Sequence, residues 1–159
     1  MQGNPEIIDI LNDVLTAELT AINQYFLDAK MYSNWGFERL GARFREDSID
    51  EMKDADELIE RILYLDGMPN LQRLGSIQIG ETPLEKLELA LQLEKEAIER
   101  LNNGIARCVA VGDNGSRELL VQILQGEEEH ADWVETQLDA IKRIGIENYL
   151  TEQMHASPR

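Results

Sequence analysis

The chain has 159 residues and a mass of 18.1 kDa, and 43% hydrophobic with 29% charged residues is a globular composition that excludes a disordered chain. Its 31 acidic residues outnumber the 15 basic ones, which gives a formal net charge of −16. This charge excludes a nucleic-acid partner, because binding phosphates needs a basic surface, and it is compatible with the handling of cations.

The first half of the chain predicts two long helices. The first begins at Asn4–Pro5, where Asn caps the helix and Pro fits its first turn, and it ends near Trp35–Gly36. The second runs from about Phe37 to Asp66, and Gly67 and Pro69 stop it. Its apolar spacing predicts an inner side that carries Ile49, Leu58, Ile62 and Leu65.

A connection from Asn70 to Glu81 separates the two halves, because it contains two glycines and lacks a helical period. Thr82 then predicts the start of a third helix, with Pro83 in the first turn and Glu85 completing a capping box. This helix ends at Gly112.

A fourth helix runs from near Asn114 to Gly145, and a short fifth from Ile146 to about His155. Short turns predict that helices one and two, and helices three and four, form antiparallel hairpins. The connection between them is long enough to run the length of a bundle. We therefore expect an all-α four-helix bundle with a long crossover between helices 2 and 3, as one domain spanning residues 1–159.

Carboxylates and one histidine recur at matching places in the two halves. Glu127 and His130 lie one turn apart on the fourth helix, and Glu51 and Asp54 have the same spacing on the second. Glu18 precedes Glu51 by 33 residues, and Glu94 precedes Glu127 by the same 33. Taken singly, each carboxylate is more often a solvated surface group. Apolar residues flank Glu18 and Glu94, however, and burying a carboxylate is costly unless a metal or partner compensates it. The two matched halves therefore favour a dinuclear metal site inside the bundle.

The carboxylate and histidine motifs lie within longer stretches of sequence. Together these stretches resemble one protein family over essentially the whole chain. The chain is similar to the bacterioferritins, which are all-α ferritin-like four-helix bundles with a short fifth C-terminal helix. The similarity is carried by residues 21–27 (AINQYFL), 48–53 (SIDEMK), 60–63 (ERIL), 69–72 (PNLQ), 128–130 (EEH) and 132–133 (DW).

The resemblance implies a ferroxidase that stores iron. It implies a shell of 24 subunits that oxidises Fe(II) with dioxygen or peroxide at a di-iron centre and holds the ferric mineral inside. It also implies a ferredoxin-type reductase for iron release. The implied catalytic iron ligands are Glu18, Glu51, Glu94, Glu127 and His130, with Glu51 and Glu127 bridging.

Met52 follows Glu51 directly, so it points about 100° away around the helix and cannot face the same metals. The resemblance implies that Met52 from each of two subunits supplies an axial sulfur to a haem b at a two-fold interface. Without the resemblance, a methionine that fills an irregular interface is the simpler reading.

Asp54 departs from the family pattern, which has histidine as a terminal iron ligand there. An aspartate can still bind iron, although it adds a negative charge and removes a nitrogen donor. The enzyme hypothesis is therefore an altered ferroxidase. A second hypothesis is a haem-bearing structural subunit with an impaired centre that assembles with an active subunit. A third is an oxygenase-like di-iron enzyme, which a separate substrate pocket would favour.

Other residues leave alternatives open. Tyr25 lies seven residues after Glu18, so it either hydrogen-bonds near the metals or is a core aromatic. Glu46 and Asp50 are either an iron-transfer pair on the inner surface of the shell or solvated side chains. The single cysteine, Cys108, is expected to be a core residue. One cysteine cannot form a disulfide within the chain, so it does not imply an oxidising compartment. Because the chain also lacks a signal-like N-terminus or a membrane-spanning apolar run, we expect a cytoplasmic protein with no membrane contact.

Overall fold

The computed structural model describes residues 1–155, and the last four residues of the predicted domain, 156–159, lie outside the described residues. Within residues 1–155 all regular structure is helical. The helices are α1 (Pro5–Asn34), α2 (Glu38–Tyr64), α3 (Pro83–Val111), α4 (Asn114–Ile144) and α5 (Ile146–Gln153). The predicted all-α fold is therefore confirmed, and α5 ends two residues earlier than the sequence predicts.

Helix starts follow the capping signals in the sequence. The Asn4 side chain accepts a hydrogen bond from the Glu6 amide at 2.8 Å, and Thr82 Oγ1 accepts one from the Glu85 amide at 3.1 Å. The reciprocal bond of the capping box is displaced by one residue, since Glu85 Oε2 accepts from the amide of Glu81. Helix α3 ends at Gly112, whose φ of 75° is readily accessible to glycine.

The connection between α2 and α3 runs along α1 and confirms the crossover. The Asn12 side-chain amide donates to the Met68 carbonyl at 3.1 Å, and farther along α1 the Gly75 amide donates to Thr20 Oγ1 at 2.8 Å. Helices α1 and α2 form one packed pair, and α3 and α4 form the other. The chain therefore has two hairpins joined by a segment that crosses the bundle along its length.

The apolar core consists of two clusters separated along the bundle axis. One cluster is built around Leu11, Leu58 and Ile123, and the other contains Tyr32, Phe44 and Ile141. On each of the four long helices a stretch between the clusters carries buried polar residues instead. This polar layer crosses the middle of the bundle.

The predicted inner side of α2 is wrong at one position. Leu58, Ile62 and Leu65 are buried, but the side chain of Ile49 is 42% exposed. Ile49 precedes Glu51 by two residues, so it points about 200° away around the helix when Glu51 faces inward. Among the helices of residues 1–155, none is both long enough and apolar enough to cross a membrane.

Candidate metal centre

The polar layer brings together all six side chains that the sequence predicts for a metal site. Glu18 lies on α1, Glu51 and Asp54 on α2, Glu94 on α3, and Glu127 with His130 on α4. The four glutamates are each at most 2% exposed, and Asp54 is half-buried. The equal spacing of 33 residues brings each pair of glutamates together, because each hairpin places the middle of one helix beside the middle of the next.

The six side chains form two overlapping groups. One atom each from Glu51, Glu94, Glu127 and His130 lies within 4.8 Å of the others, and the same holds for Glu18, Glu51, Asp54 and Glu127. We call the first group the histidine position and the second the carboxylate position. Glu51 and Glu127 belong to both, so the arrangement can hold two neighbouring cations that share two carboxylates.

Several atoms at the centre lack the hydrogen bonds that buried polar atoms usually make. In the described part of the chain, no partner is found for Glu18 Oε2, Glu51 Oε1, Glu94 Oε2, Glu127 Oε1 or His130 Nδ1. His130 Nδ1 lies 3.2 Å from Glu51 Oε1, but the two are not aligned as a hydrogen bond. Carboxylate and imidazole are suitable ligands for iron, so these atoms fit a pair of iron ions.

The pKa values of the metal-free centre reflect the close packing of its buried carboxylates. Burial, hydrogen bonding with Glu94 and the charge of Glu51 raise the pKa of Glu127 well above its usual range. Burial by itself lowers the pKa of His130, but Glu51, Glu94 and Asp47 outweigh it and raise that pKa to about 11. Burial and the charge of Glu51 raise the pKa of Asp54 to about 7. Without a metal, the centre therefore compensates its negative charge with bound protons.

A cavity of about 460 Å³ reaches the centre from the crossover side. Its wall includes Glu18 and Glu127 of the centre, Gly75 and Gln78 of the crossover, and Arg100 of α3. A cation or a small oxidant could enter the bundle by this route, between α1 and α3. The polar lining is consistent with the passage of charged or hydrated species.

Sequence reasoning missed the partners of His130 on its second nitrogen. His130 Nε2 lies 3.4 Å from Asp47 Oδ1 and 3.7 Å from Asp50 Oδ2. Asp47 is buried and accepts a hydrogen bond from Arg43 Nε at 3.1 Å. Such outer contacts orient a histidine that binds metal. Asp47 precedes Glu51 by one helical turn, and this spacing is the signal that could have identified Asp47. Glu46 and Asp50, which the sequence analysis considers as a pair, are both exposed.

Tyr25 faces the centre, as its spacing from Glu18 predicts. Its hydroxyl is buried and donates a hydrogen bond to Glu94 Oε1. Burial, with the charge of Glu94, raises the pKa of the Tyr25 phenol well above its usual range, so it stays protonated as a donor. Tyr25 therefore holds Glu94 in place while also packing edge-on against Phe44.

Met52 points away from the centre. Its side chain is 56% exposed, whereas the neighbouring Glu51 is 1% exposed. Ile49, about one helical turn before Met52 on α2, and Phe26 on α1 are also exposed, as are Leu63 and Tyr64 at the end of α2. We call Met52, Ile49 and Phe26 the outer patch. An exposed apolar patch of this kind is typical of an interaction surface.

Comparison with known proteins agrees with this architecture. A family model described as a ferritin-like domain matches residues 8–144. The chain is 48% identical to the bacterioferritin BfrA of Mycobacterium tuberculosis, over 158 residues that cover 99% of each chain. It is 46% identical to a bacterioferritin of Streptomyces coelicolor, covering 99% of this chain and 96% of the relative. A bacterioferritin of Brucella melitensis is 42% identical, covering 99% of this chain and 97% of the relative. The chain therefore belongs to the ferritin-like family and, within it, to the bacterioferritins.

Proposed function

We propose that this protein stores iron and oxidises Fe(II) at the centre between its four long helices. The observation that carries the proposal is the pair of overlapping ligand groups, with five buried ligand atoms that have no hydrogen-bond partner among residues 1–155. Membership of the bacterioferritins supports the same function. The proposal treats residues 1–159 as one ferritin-like domain of a cytoplasmic protein.

The side chains have distinct roles in this proposal. Glu51 and Glu127 would hold two iron ions jointly, because each contributes to both ligand groups. Glu18 and Asp54 complete one position, and Glu94 completes the other with His130. Iron bound between these residues supplies the redox chemistry, in which Fe(II) gives electrons to dioxygen or peroxide.

The residues around the ligands hold this arrangement. The hydrogen bond from Tyr25 fixes one oxygen of Glu94, and Asp47 limits the rotation of the His130 ring. Burial between two apolar clusters lowers the local polarity around the ligand atoms, which strengthens their interaction with cations.

We further propose that the outer patch binds haem b and forms a subunit interface within a 24-subunit shell. Two axial sulfurs for a haem would come from two methionines, and Met52 is the exposed methionine that lies within the α1–α2 pair, where Phe26 and Ile49 are also exposed. A second copy of the chain related by a two-fold axis would supply the other sulfur. We propose that such dimers assemble into the shell and that a ferredoxin-type reductase releases the stored iron.

Replacing Met52 by leucine is expected to lower the haem content per chain by about tenfold or more, because the axial sulfur is lost while the apolar volume is retained. The measurement is haem absorbance per chain after expression with added haem. The control is Met68→Leu, since Met68 is also exposed but lies on the crossover. Equal haem content in the two variants would contradict the assignment of Met52.

Asp54 favours a second candidate function. With an aspartate in place of the family's histidine, the chain could be a haem-bearing structural subunit that assembles with an active one. Its own centre would then bind iron without efficient turnover. The observation behind this alternative is that Asp54 leaves the carboxylate position without a nitrogen ligand.

Stopped-flow absorbance after adding about two Fe(II) per metal-free chain in air separates the two functions. We expect a fast phase of Fe(II) oxidation in the unmodified protein and in Asp54→His. Asp56→His is the control, because Asp56 is exposed on the same helix and a histidine there cannot restore a ligand. A fast phase confined to Asp54→His would favour the structural subunit, and its absence from all three proteins would refute the ferroxidase.

A further inference from the structure

We infer that the two positions of the centre select different cations: relative to the histidine position, the carboxylate position favours the hard ion Mn(II), whereas the histidine position favours a metal that binds imidazole. This inference rests on the proposed metal centre and deepens it. It concerns which metal each position selects, whereas the proposed function concerns only iron and its oxidation.

The donor atoms of the two positions differ in chemistry. The carboxylate position is formed by Glu18, Glu51, Asp54 and Glu127, so every protein ligand atom is an oxygen. The histidine position has the two shared carboxylates and Glu94, and its fourth ligand is Nδ1 of His130 in place of a carboxylate. The difference between the positions is therefore one imidazole.

No other imidazole is available to the carboxylate position. The sequence contains two histidines, and the second, His155, is exposed beyond the end of α5. The single thiol, Cys108, is buried in an apolar cluster that contains none of the six ligands. The oxygen-only ligand set is thus a property of this chain and does not depend on how side chains rotate locally.

Burial and missing hydrogen bonds, in addition to the number of acidic groups, indicate that the carboxylate position is a metal site. Glu18 is 2% exposed, and its Oε2 atom has no hydrogen-bond partner among the described residues. Glu51 Oε1 and Glu127 Oε1 are unpartnered in the same way. Three buried oxygens without partners, on three helices, converge on a volume that a cation can fill.

Oxygen-only and imidazole-containing sites discriminate differently among divalent metals. Carboxylate and water ligands suit Mg(II), Ca(II) and Mn(II), whereas imidazole suits iron and zinc. Ca(II) takes six to eight oxygens, whereas four ligand atoms converge here, one from each carboxylate, and Mg(II) gives up its water reluctantly in a buried site. Mn(II) is therefore the hard divalent ion that fits the carboxylate position best.

Competition between Mn(II) and Zn(II) tests the inference without measuring any activity. Metal-free assembled protein is incubated with saturating Zn(II) and about a hundredfold excess of Mn(II), because Zn(II) binds a given nitrogen and oxygen site more tightly than Mn(II), and it is then desalted and analysed for metal per chain. We expect about one Mn(II) and one Zn(II) per chain, with anomalous scattering from crystals placing manganese beside Asp54 and zinc beside His130. In Asp54→His the manganese content is expected to fall by about tenfold as a second zinc ion binds.

The control is Asp56→His, which places a histidine on the exposed side of the same helix and should keep its manganese. Two zinc ions per chain in the unmodified protein, or manganese beside His130, would overturn the inference but leave a metal-binding centre in place. If neither ion is found among the six ligands, both the inference and the proposed metal centre fail. These outcomes keep the two hypotheses distinguishable.

Discussion

Binding of a divalent metal is expected to raise the thermal unfolding midpoint of this protein by about 10–20 °C, and Glu127→Gln should abolish most of that rise. Two ions present at about a hundred times their dissociation constants stabilise the folded state by roughly 5 kcal/mol, and a chain of this size gains about 2–4 °C per kcal/mol. Glu127 contributes to both ligand groups, so its loss weakens both positions.

The metal-free form of Glu127→Gln should be more stable than the metal-free unmodified protein. Glu127 is buried beside Glu94 and Glu51, its pKa is raised, and its Oε1 atom lacks a partner in the described part of the chain. An amide removes the ionisable group and can donate to either neighbour, for a gain of about 1–3 kcal/mol. Calorimetry with chelator and then with Zn(II) measures both effects.

Glu128→Gln is the matched control, because Glu128 is the next residue on the same helix and is exposed. It should leave the midpoint of the metal-free protein and the rise on metal binding almost unchanged. A full rise in Glu127→Gln would contradict the shared position that we propose for Glu127.

The rise on metal binding should also grow as the pH increases from about 6 to about 8. Asp54 has a pKa raised to about 7 in the metal-free protein, so below that pH a bound metal must displace its proton. Protonation of Asp54 stabilises the metal-free fold below its ordinary pKa, and this contribution is lost as the pH rises through about 7. Both trends widen the difference in unfolding midpoint between the metal-bound and metal-free forms. Asp54→Asn should reduce this pH dependence, while the protons that a metal displaces from His130 and Glu127 maintain the rest.

Lys86→Met is expected to lower the free energy of unfolding by about 3–5 kcal/mol, because it leaves a buried carboxylate without its cation. Lys86 Nζ lies 2.7 Å from Asp28 Oδ1, and the two side chains are 0% and 2% exposed. Burial raises the pKa of Asp28 to about 6 even though Lys86 opposes the rise. Thermal or denaturant unfolding of the metal-free protein measures the loss, which corresponds to roughly 10 °C.

The double variant Asp28→Leu with Lys86→Met should recover much of the loss, since an apolar pair of similar volume often replaces a buried ion pair at little cost. Lys95→Met, at an exposed position of the same helix, controls for the loss of a lysine. Because the pair lies outside both ligand groups, Lys86→Met should keep its stabilisation by metal. If Lys86→Met and Lys95→Met are equally stable, the buried pair contributes little.

Much of the fold could be predicted because its signals are local. Asn4 and Thr82 start helices through bonds to amides two and three residues away, and Gly112 ends one through its own backbone angle. The length of the segment between α2 and α3 already implied a crossover. The six candidate ligands could be selected because helical periodicity places residues one turn apart on the same face.

Contacts between distant residues could not be predicted in this way. Lys86 and Asp28 are separated by 58 positions, and Tyr25 and Glu94 by 69. The outward direction of Ile49 depends on how α2 rotates against α1, and the apolar pattern, which was right for Leu58 and Ile62, placed Ile49 on the wrong face. The contact between Asp47 and His130 likewise joins α2 to α4.

The sequence by itself determined the helices, their order, the candidate residues of the centre and the direction of Met52 away from it, because capping and periodicity act within a few residues of the chain. Only the tertiary structure decided that the candidate residues lie together in two overlapping groups, that Asp47 lies beside His130 and that Tyr25 donates to Glu94. Those properties depend on how four helices rotate and pack against one another. Side-chain burial and long-range contacts set that rotation, and neither can be read from a local pattern.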